Sequence, residues 1–300
     1  MTASIVCAIE PAGGILGPPG YATSVTLTTD RWYLREAYGY SWGGHDNVGR
    51  RGEMNLERVP GYTRTGDGQQ SVTSLGVSAD GFRLLAGWKT SEHGCLIVRN
   101  RWSGDHSGIN GQILGEFGGA RALGGVAVAV KGGRYYGFSL SAFALTQCDI
   151  TSPTPMQPGQ RQASSAVPGA PGGTGLVAAG DTVAYLTQAG ELVTYTPGGA
   201  PCITSEAAVC VGMEGAEIVL GQAEGMTGPE PRYFHLGGFP SAVALLQSVP
   251  FAWVGPVLYR EDVPIFTMPA GIGTVVDCKG FGDRLYCATT GLLVVVGVGP

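Results

Sequence analysis

Six stretches of this chain resemble one another at nearly constant spacing. They are TLTTDRWYLREA from Thr26, GVSADGFRLLAGW from Gly76, VAVKGGRYYGFSL from Val128, LVAAGDTVAYLT from Leu176, GPEPRYFHLGG from Gly228 and DCKGFGDRLYCATTG from Asp277. Most carry a turn of Gly, Asp or Pro, then an arginine, then an aromatic or aliphatic pair. The anchors are Arg31, Arg83, Arg134, Thr182, Arg232 and Arg284, separated by 52, 51, 48, 50 and 52 residues. A fixed period constrains the fold more tightly than composition does, because each unit must bury its apolar face against the next.

Each unit reads as strands. Val25-Thr26-Leu27, Gly125 to Val128 and Thr274-Val275-Val276 are short β-rich runs before the turn, and Arg284 to Ala288 is another after it. A third run often follows a glycine, as in Gly94-Cys95-Leu96-Ile97-Val98 or Gly190 to Tyr195. Short runs bounded by Gly, Asp and Pro are the hairpin signal. Helical periodicity comes nearest at 205–220, where Gly212 and Gly215 interrupt it.

An antiparallel four-stranded unit of about fifty residues, repeated six times, resembles a six-bladed β-propeller, an all-β fold occupying residues 1–300 as one domain. After Arg284 only one further strand remains, Leu292 to Val298, so the last blade is one strand short. Residues 3–9 have β character and are expected to complete it, which would seal the ring with both ends of the chain. Residues 151–175, rich in Pro, Ser, Gly and Gln, are expected to form a long connection between the third and fourth blades, able to order against a neighbour.

Composition narrows the function classes. Glycine accounts for 51 of 300 residues, and many tight turns would use it. The formal net charge is −5, and the fifteen arginines and three lysines (Lys89, Lys131, Lys279) do not cluster beyond Arg50-Arg51. A phosphate-binding surface needs a concentrated basic face, so no sequence-specific nucleic-acid binding is expected. The N-terminus lacks the basic and apolar regions of a signal peptide, and the run at 291–300 is too short to span a bilayer, so cytoplasmic synthesis and no membrane span are expected. Seven cysteines without a C-x-x-C read as buried small side chains. Cys202/Cys210 and Cys278/Cys287 are close enough to be hairpin neighbours.

The motifs that suggest chemistry each have a plainer reading. Gly39-Tyr40-Ser41-Trp42-Gly43 fits the G-x-S-x-G pattern of serine hydrolases, but 48–64 cannot supply the buried helix that follows a nucleophile elbow. GYSWGG is therefore expected to be a glycine-rich turn. His45, His93, His106 and His235 have no metal-ligand spacing and read as surface histidines. Apart from Glu261-Asp262 the carboxylates stand singly, and no EF-hand pattern is present. The recurrent arginine is expected to hold adjacent blades together, with a channel-facing guanidinium ring as the alternative. No catalytic, cofactor-binding or metal-binding residue is assigned, and no cofactor is expected.

These features imply a non-catalytic structural or binding propeller acting within a larger assembly. The glycine- and alanine-rich, lysine-poor chain is similar to tail-nozzle and hub proteins of short-tailed phages. That resemblance implies a virion component that forms homo-oligomers with other subunits. A carbohydrate-binding propeller using Trp32, Tyr33, Trp42, Trp88 and Trp102 as stacking platforms is one alternative. A hydrolase or lyase of propeller type is another.

Overall fold

The computed structural model describes residues 2–10, 24–36, 39–47, 51–55, 72–88, 95–99, 112–117, 124–151, 163–230 and 232–299. Among them are 28 strands, arranged as seven four-stranded antiparallel sheets. The first blade comprises β2 (Val25–Leu27), β3 (Arg31–Glu36), β4 (Gly39–Gly44) and β5 (Arg51–Asn55), after the N-terminal strand β1 (Ala3–Ile9). The second comprises β6 (Val72–Val77), β7 (Arg83–Trp88), β8 (Cys95–Arg99) and β9 (Gln112–Phe117). The third comprises β10 (Gly125–Lys131), β11 (Arg134–Leu140), β12 (Ala144–Asp149) and β13 (Ser165–Pro171). The fourth is β14 (Gly173–Ala179), β15 (Thr182–Thr187), β16 (Leu192–Tyr195) and β17 (Cys202–Thr204). The fifth is β18 (Ala208–Glu214), β19 (Glu217–Gln222), β20 (Gly225–Thr227) and β21 (Tyr233–His235). The sixth is β22 (Ala242–Leu246), β23 (Val249–Val254), β24 (Val257–Arg260) and β25 (Val263–Thr267). The seventh takes β26 (Val275–Phe281), β27 (Arg284–Thr289) and β28 (Leu293–Val298), with β1 outermost.

The innermost strands β2, β6, β10, β14, β18, β22 and β26 pack side by side in that order, and β26 returns to β2. This is a closed propeller. The all-β architecture, the four-stranded antiparallel blades and the closure by residues 3–9 stand as the sequence implies. The blade number differs, because the described residues form seven sheets rather than six. Second strands begin at Arg31, Arg83, Arg134, Thr182, Glu217, Val249 and Arg284. Their spacing is about fifty residues in the first half of the chain and about thirty-four in the second, where two-residue turns shorten the blades. Arg232 precedes β21, the outermost strand of the fifth blade, so it is not an equivalent of the other anchors.

The 151–175 segment also differs from expectation. Ser165–Pro171 forms β13 at the outer edge of the third blade, and Gly173 begins the inner strand of the fourth. Residues 152–162 lie outside the described residues.

The core lies between adjacent sheets. Trp32, Trp253, Tyr33, Tyr40, Tyr185, Tyr286 and Phe138 are fully buried. Burying a large apolar side chain contributes roughly 1.5–3 kcal/mol. One apolar cluster joins the sixth and seventh blades through Trp253, Leu258, Leu285 and Val296. Another joins the seventh and first through Ile9, Trp32, Leu34, Tyr286 and Val295. The closing blade is therefore held on both faces.

Glycine serves contact as well as turns. A Cβ on Gly280 of β26 would stand 2.0 Å from the Leu245 carbonyl oxygen of β22, and one on Gly212 of β18 would stand 2.9 Å from that of Val243. Inner strands converge on the axis, and a bare backbone lets them approach. Gly280→Ala is expected to force a backbone shift and lower stability by about 1–3 kcal/mol. Gly282, in the adjacent turn, has open space around it but a φ of 63°, so Gly282→Asn should be tolerated. Urea titrations of the two variants check the contrast.

Candidate interaction face

The strands of each blade run antiparallel, so the two ends of the ring are built from different connections. One end carries the turns between first and second strands and between third and fourth strands. The other carries the turns between second and third strands and the crossings from blade to blade.

The first end is charged, and it is where the recurrent arginines lie. Arg83, 2% exposed, donates through Nε to the Ile150 carbonyl and through Nη2 to the Thr151 carbonyl, both at 2.9 Å, just after the third strand of the next blade. Arg284 donates to the His45 carbonyl at 2.7 Å, at the same place in the first blade. Where the third blade meets the fourth, Lys131 takes over and donates to the Pro197 carbonyl at 2.7 Å. In the fifth blade Glu214 accepts the backbone N–H groups of Gln247 and Ser248, and the Gln247 amide donates onward to the Gly282 carbonyl. The function recurs while the residue type changes. Arg134 reaches only Asp149 of its own blade, and the Thr182 hydroxyl bonds that of Thr196. Arg31 lies over the Trp42 ring, 4.7 Å from its centroid. For Arg83 and Arg284 the bonds join neighbouring blades, as expected of a structural role.

His45 is not a surface residue. It is buried at the seam between the first and seventh blades, stacked on Phe281 with ring centroids 3.9 Å apart. Its Nε2 is 2.9 Å from the Thr28 carbonyl, and its Nδ1 is 2.8 Å from the Tyr286 hydroxyl. A carbonyl can only accept, so Nε2 carries the proton and Nδ1 accepts from the tyrosine. Burial lowers its pKa and Arg284 adds to that, while the Thr28 carbonyl, Asp30 and Asp46 oppose it. His235 is exposed on β21. His93 and His106 lie outside the described residues.

Ser41 is 0% exposed, in the middle of β4, opposite Leu34 and Glu53. GYSWGG is a strand, not a turn. Tryptophan rings lie over glycines of this hairpin: the Trp32 ring lies across Gly43, where a Cβ would stand 2.5 Å from it, and the Trp42 ring likewise covers Gly52 on β5. Trp32 and Tyr33 are fully buried and Trp42 half-buried beneath Arg31, so these three form no sugar-stacking platform. The side chains of Trp88 and Trp102 lie outside the described residues. Cys202 and Cys210 fall in different blades, on β17 and β18. Among the described residues no group of three His, Cys, Asp or Glu could hold a metal ion, and no helix is long and apolar enough to cross a membrane.

The second end is different. Its described connections include 141–143, 188–191, 205–207, 223–224, 236–241, 255–256, 268–274 and 290–292, and none of these contains Lys or Arg. Phe143, 86% exposed, and Phe239, 66% exposed, project there. The backbone at Phe143 is held in place. The Ser141 hydroxyl accepts the N–H groups of Phe143 and Ala144, and the Ser141 carbonyl accepts that of Gly173. The Phe239 loop is fixed at both ends, by the Leu236 and Gly237 N–H groups on the Glu224 carbonyl and by the Ser241 N–H on that of Trp253.

Two valines join them. The pairing register slips at the second residue of β18 and of β26, leaving Val209 and Val276 as bulged residues. A bulge re-aims its side chain, and both valines are exposed near this mouth of the ring. The same slip occurs at Thr73 on β6. Nothing in the repeat consensus marked these positions, because a bulge is a mismatch between two strands and not a property of one.

No known family matches the chain, and no curated protein does. Solved structures are similar to it across nearly its whole length. The β-propeller domain of Cps50 (Swd1) from Myceliophteria thermophila is 13% identical, with a TM-score of 0.61, covering 99% of this chain and 100% of that one. A chain of the Mitotic Checkpoint Complex is 12% identical, with a TM-score of 0.66, covering 99% and 96%. Raptor from Chaetomium thermophilum is 9% identical, with a TM-score of 0.63, covering 98% of this chain and 30% of its own. At these identities the likeness shows the fold.

Two expectations follow from the charged end. Arg83→Ala leaves the buried Ile150 carbonyl and the half-buried Thr151 carbonyl without their donor and should destabilise the protein by about 2–4 kcal/mol, measured by urea unfolding. The second concerns pH. His45 binds its proton less readily in the fold than in the unfolded chain, where an imidazole titrates near 6.5. Stability from this residue is full above that value and falls as pH drops through it, until the lowered folded pKa is passed. Thermal unfolding midpoints should therefore decline between about pH 7 and pH 5, and His45→Gln should flatten that part of the profile.

Proposed function

We propose that this propeller is a protein-interaction scaffold, acting by contact with other subunits rather than by turnover, and that the end carrying Phe143 and Phe239 is its docking face. The observation that carries this reading is the asymmetry of the ring. One end uses its charged groups to join blade to blade. The other, among the described residues, is free of basic side chains and holds two phenylalanines outward on hydrogen-bonded loops. Loops already fixed by hydrogen bonds lose little backbone freedom on binding, and aromatic side chains contribute heavily to interface energetics. Two of the similar folds come from proteins seen in or named for an assembly or a larger chain, the Mitotic Checkpoint Complex and Raptor. That likeness supports a scaffold without naming a partner.

Assembly into homo-oligomers, and a place in a virion, are finer forms of the same proposal. Their support is the composition and the resemblance drawn from it; the structures named above are not phage components.

The test compares the protein with a Phe143→Ser, Phe239→Ser variant, each immobilised and exposed to extract from its source. Both substituted positions are exposed, so circular dichroism should show the same fold. The variant is expected to retain its specifically bound partner at least about tenfold less well, as loss of an aromatic anchor implies. Equal retention of the same partners by both proteins would overturn the assignment of this face.

A further inference from the structure

The closing blade sets two cysteines against each other. Cys278 on β26 and Cys287 on β27 are direct partners in the strand register. Gly282 and Asp283 form the two-residue turn between these strands, and Phe281 and Arg284 are the first pair beyond it. In such a hairpin the first pair exchanges hydrogen bonds, and hydrogen-bonded and non-hydrogen-bonded pairs alternate from there. Counting along the ladder makes Cys278 and Cys287 a non-hydrogen-bonded pair, the kind whose backbones and side chains come closest. Their sulfurs are 3.1 Å apart, and both side chains are buried, at 1% and 0% exposure.

We propose that Cys278 and Cys287 form a disulfide site, at which oxidation bridges the two inner strands of the closing blade. Directly opposed residues of such a pair have Cα atoms about 4.5 Å apart, within the span a disulfide accepts. The sulfurs need only close the remaining gap by side-chain rotation. The oxidant is a small-molecule disulfide. One cysteine thiolate attacks it and releases one small thiol; the second cysteine thiolate then attacks the mixed disulfide and releases the other. The protein loses two protons and two electrons, which the two small thiols carry away.

The surroundings set the rate. Burial, together with neighbouring Cys278, holds the Cys287 thiol well above its usual pKa. The pair reacts when the blade opens, and once formed the bridge resists that opening. Trp253 lies in the same apolar cluster as both cysteines and reports on them by fluorescence.

The experiment incubates the full chain with oxidised glutathione, with and without a sub-denaturing concentration of urea, and then maps peptides without reduction. The expected product is a peptide pair joined between Cys278 and Cys287, lighter by two hydrogen atoms than the two reduced peptides together. The oxidised protein should show quenched tryptophan fluorescence and a midpoint raised by a few degrees, all reversed by dithiothreitol. The Cys278→Ser and Cys287→Ser variants should instead give mixed glutathione disulfides at the remaining cysteine. If both thiols stay free, or carry glutathione singly, in wild-type protein whose circular dichroism remains native in either condition, the site is not a disulfide site.

Discussion

The rest of the structure depends on one strip of backbone hydrogen bonds. Strand β1 pairs antiparallel with β28, from Ala3 opposite Val298 to Ile9 opposite Leu293. This joins the two ends of the chain within one sheet, so every blade has two neighbours and no inner strand is left at a gap. The cost of closing so long a loop is entropic and grows slowly with length. Apolar packing on both faces of the closing blade offsets it, through Trp253 and Val296 on one side and Trp32 and Val295 on the other.

The two ends of the ring differ in the groups that join the blades. At one end Arg83, Arg284, Lys131, Glu214 and Gln247 each reach a backbone group of the next blade. His45 adds its own bonds at the seam where the ring is sealed. Among the described residues, the connections of the other end carry no Lys or Arg, and the bulged valines and projecting phenylalanines lie there. A scaffold that must keep its shape while presenting a contact face can divide its labour in this way.

Much of this was legible in the sequence, and the misses have physical causes. Short β runs, turn residues and the arginine repeat marked strands and blades correctly as far as Thr182. Beyond it the spacing continued to match by residue type, because Arg232 and its aromatic pair happen to sit one period on. The strand they open is an outer one, and only pairing reveals that. GYSWGG looked like a turn because its glycines lack local strand propensity; it is a strand because it pairs with β3 and β5, and Gly43 suits it because the Trp32 ring occupies the space a Cβ would need. His45 looked solvent-facing beside Gly43-Gly44 and Asp46, but its burial comes from Phe281 and Tyr286, more than two hundred residues away. The anchoring of Phe143 was partly local, in Ser141, whereas the exposure of Val209 and Val276 depends on register slips between strands. Cys278 and Cys287 could be seen as hairpin neighbours from their separation; their opposition across one pair could not.

The claim that the N-terminal strand closes the ring is tested most directly by native-state hydrogen exchange of the intact protein. Paired strands protect their amides with the stability of the unit they belong to. The account predicts that those amides of residues 3–9 that point toward β28 exchange as slowly as the amides of residues 293–298, and that both sets lose protection together as denaturant is added. Fast exchange across residues 3–9 beside a protected 293–298 would contradict it, and would leave the seventh blade with three strands and an open edge.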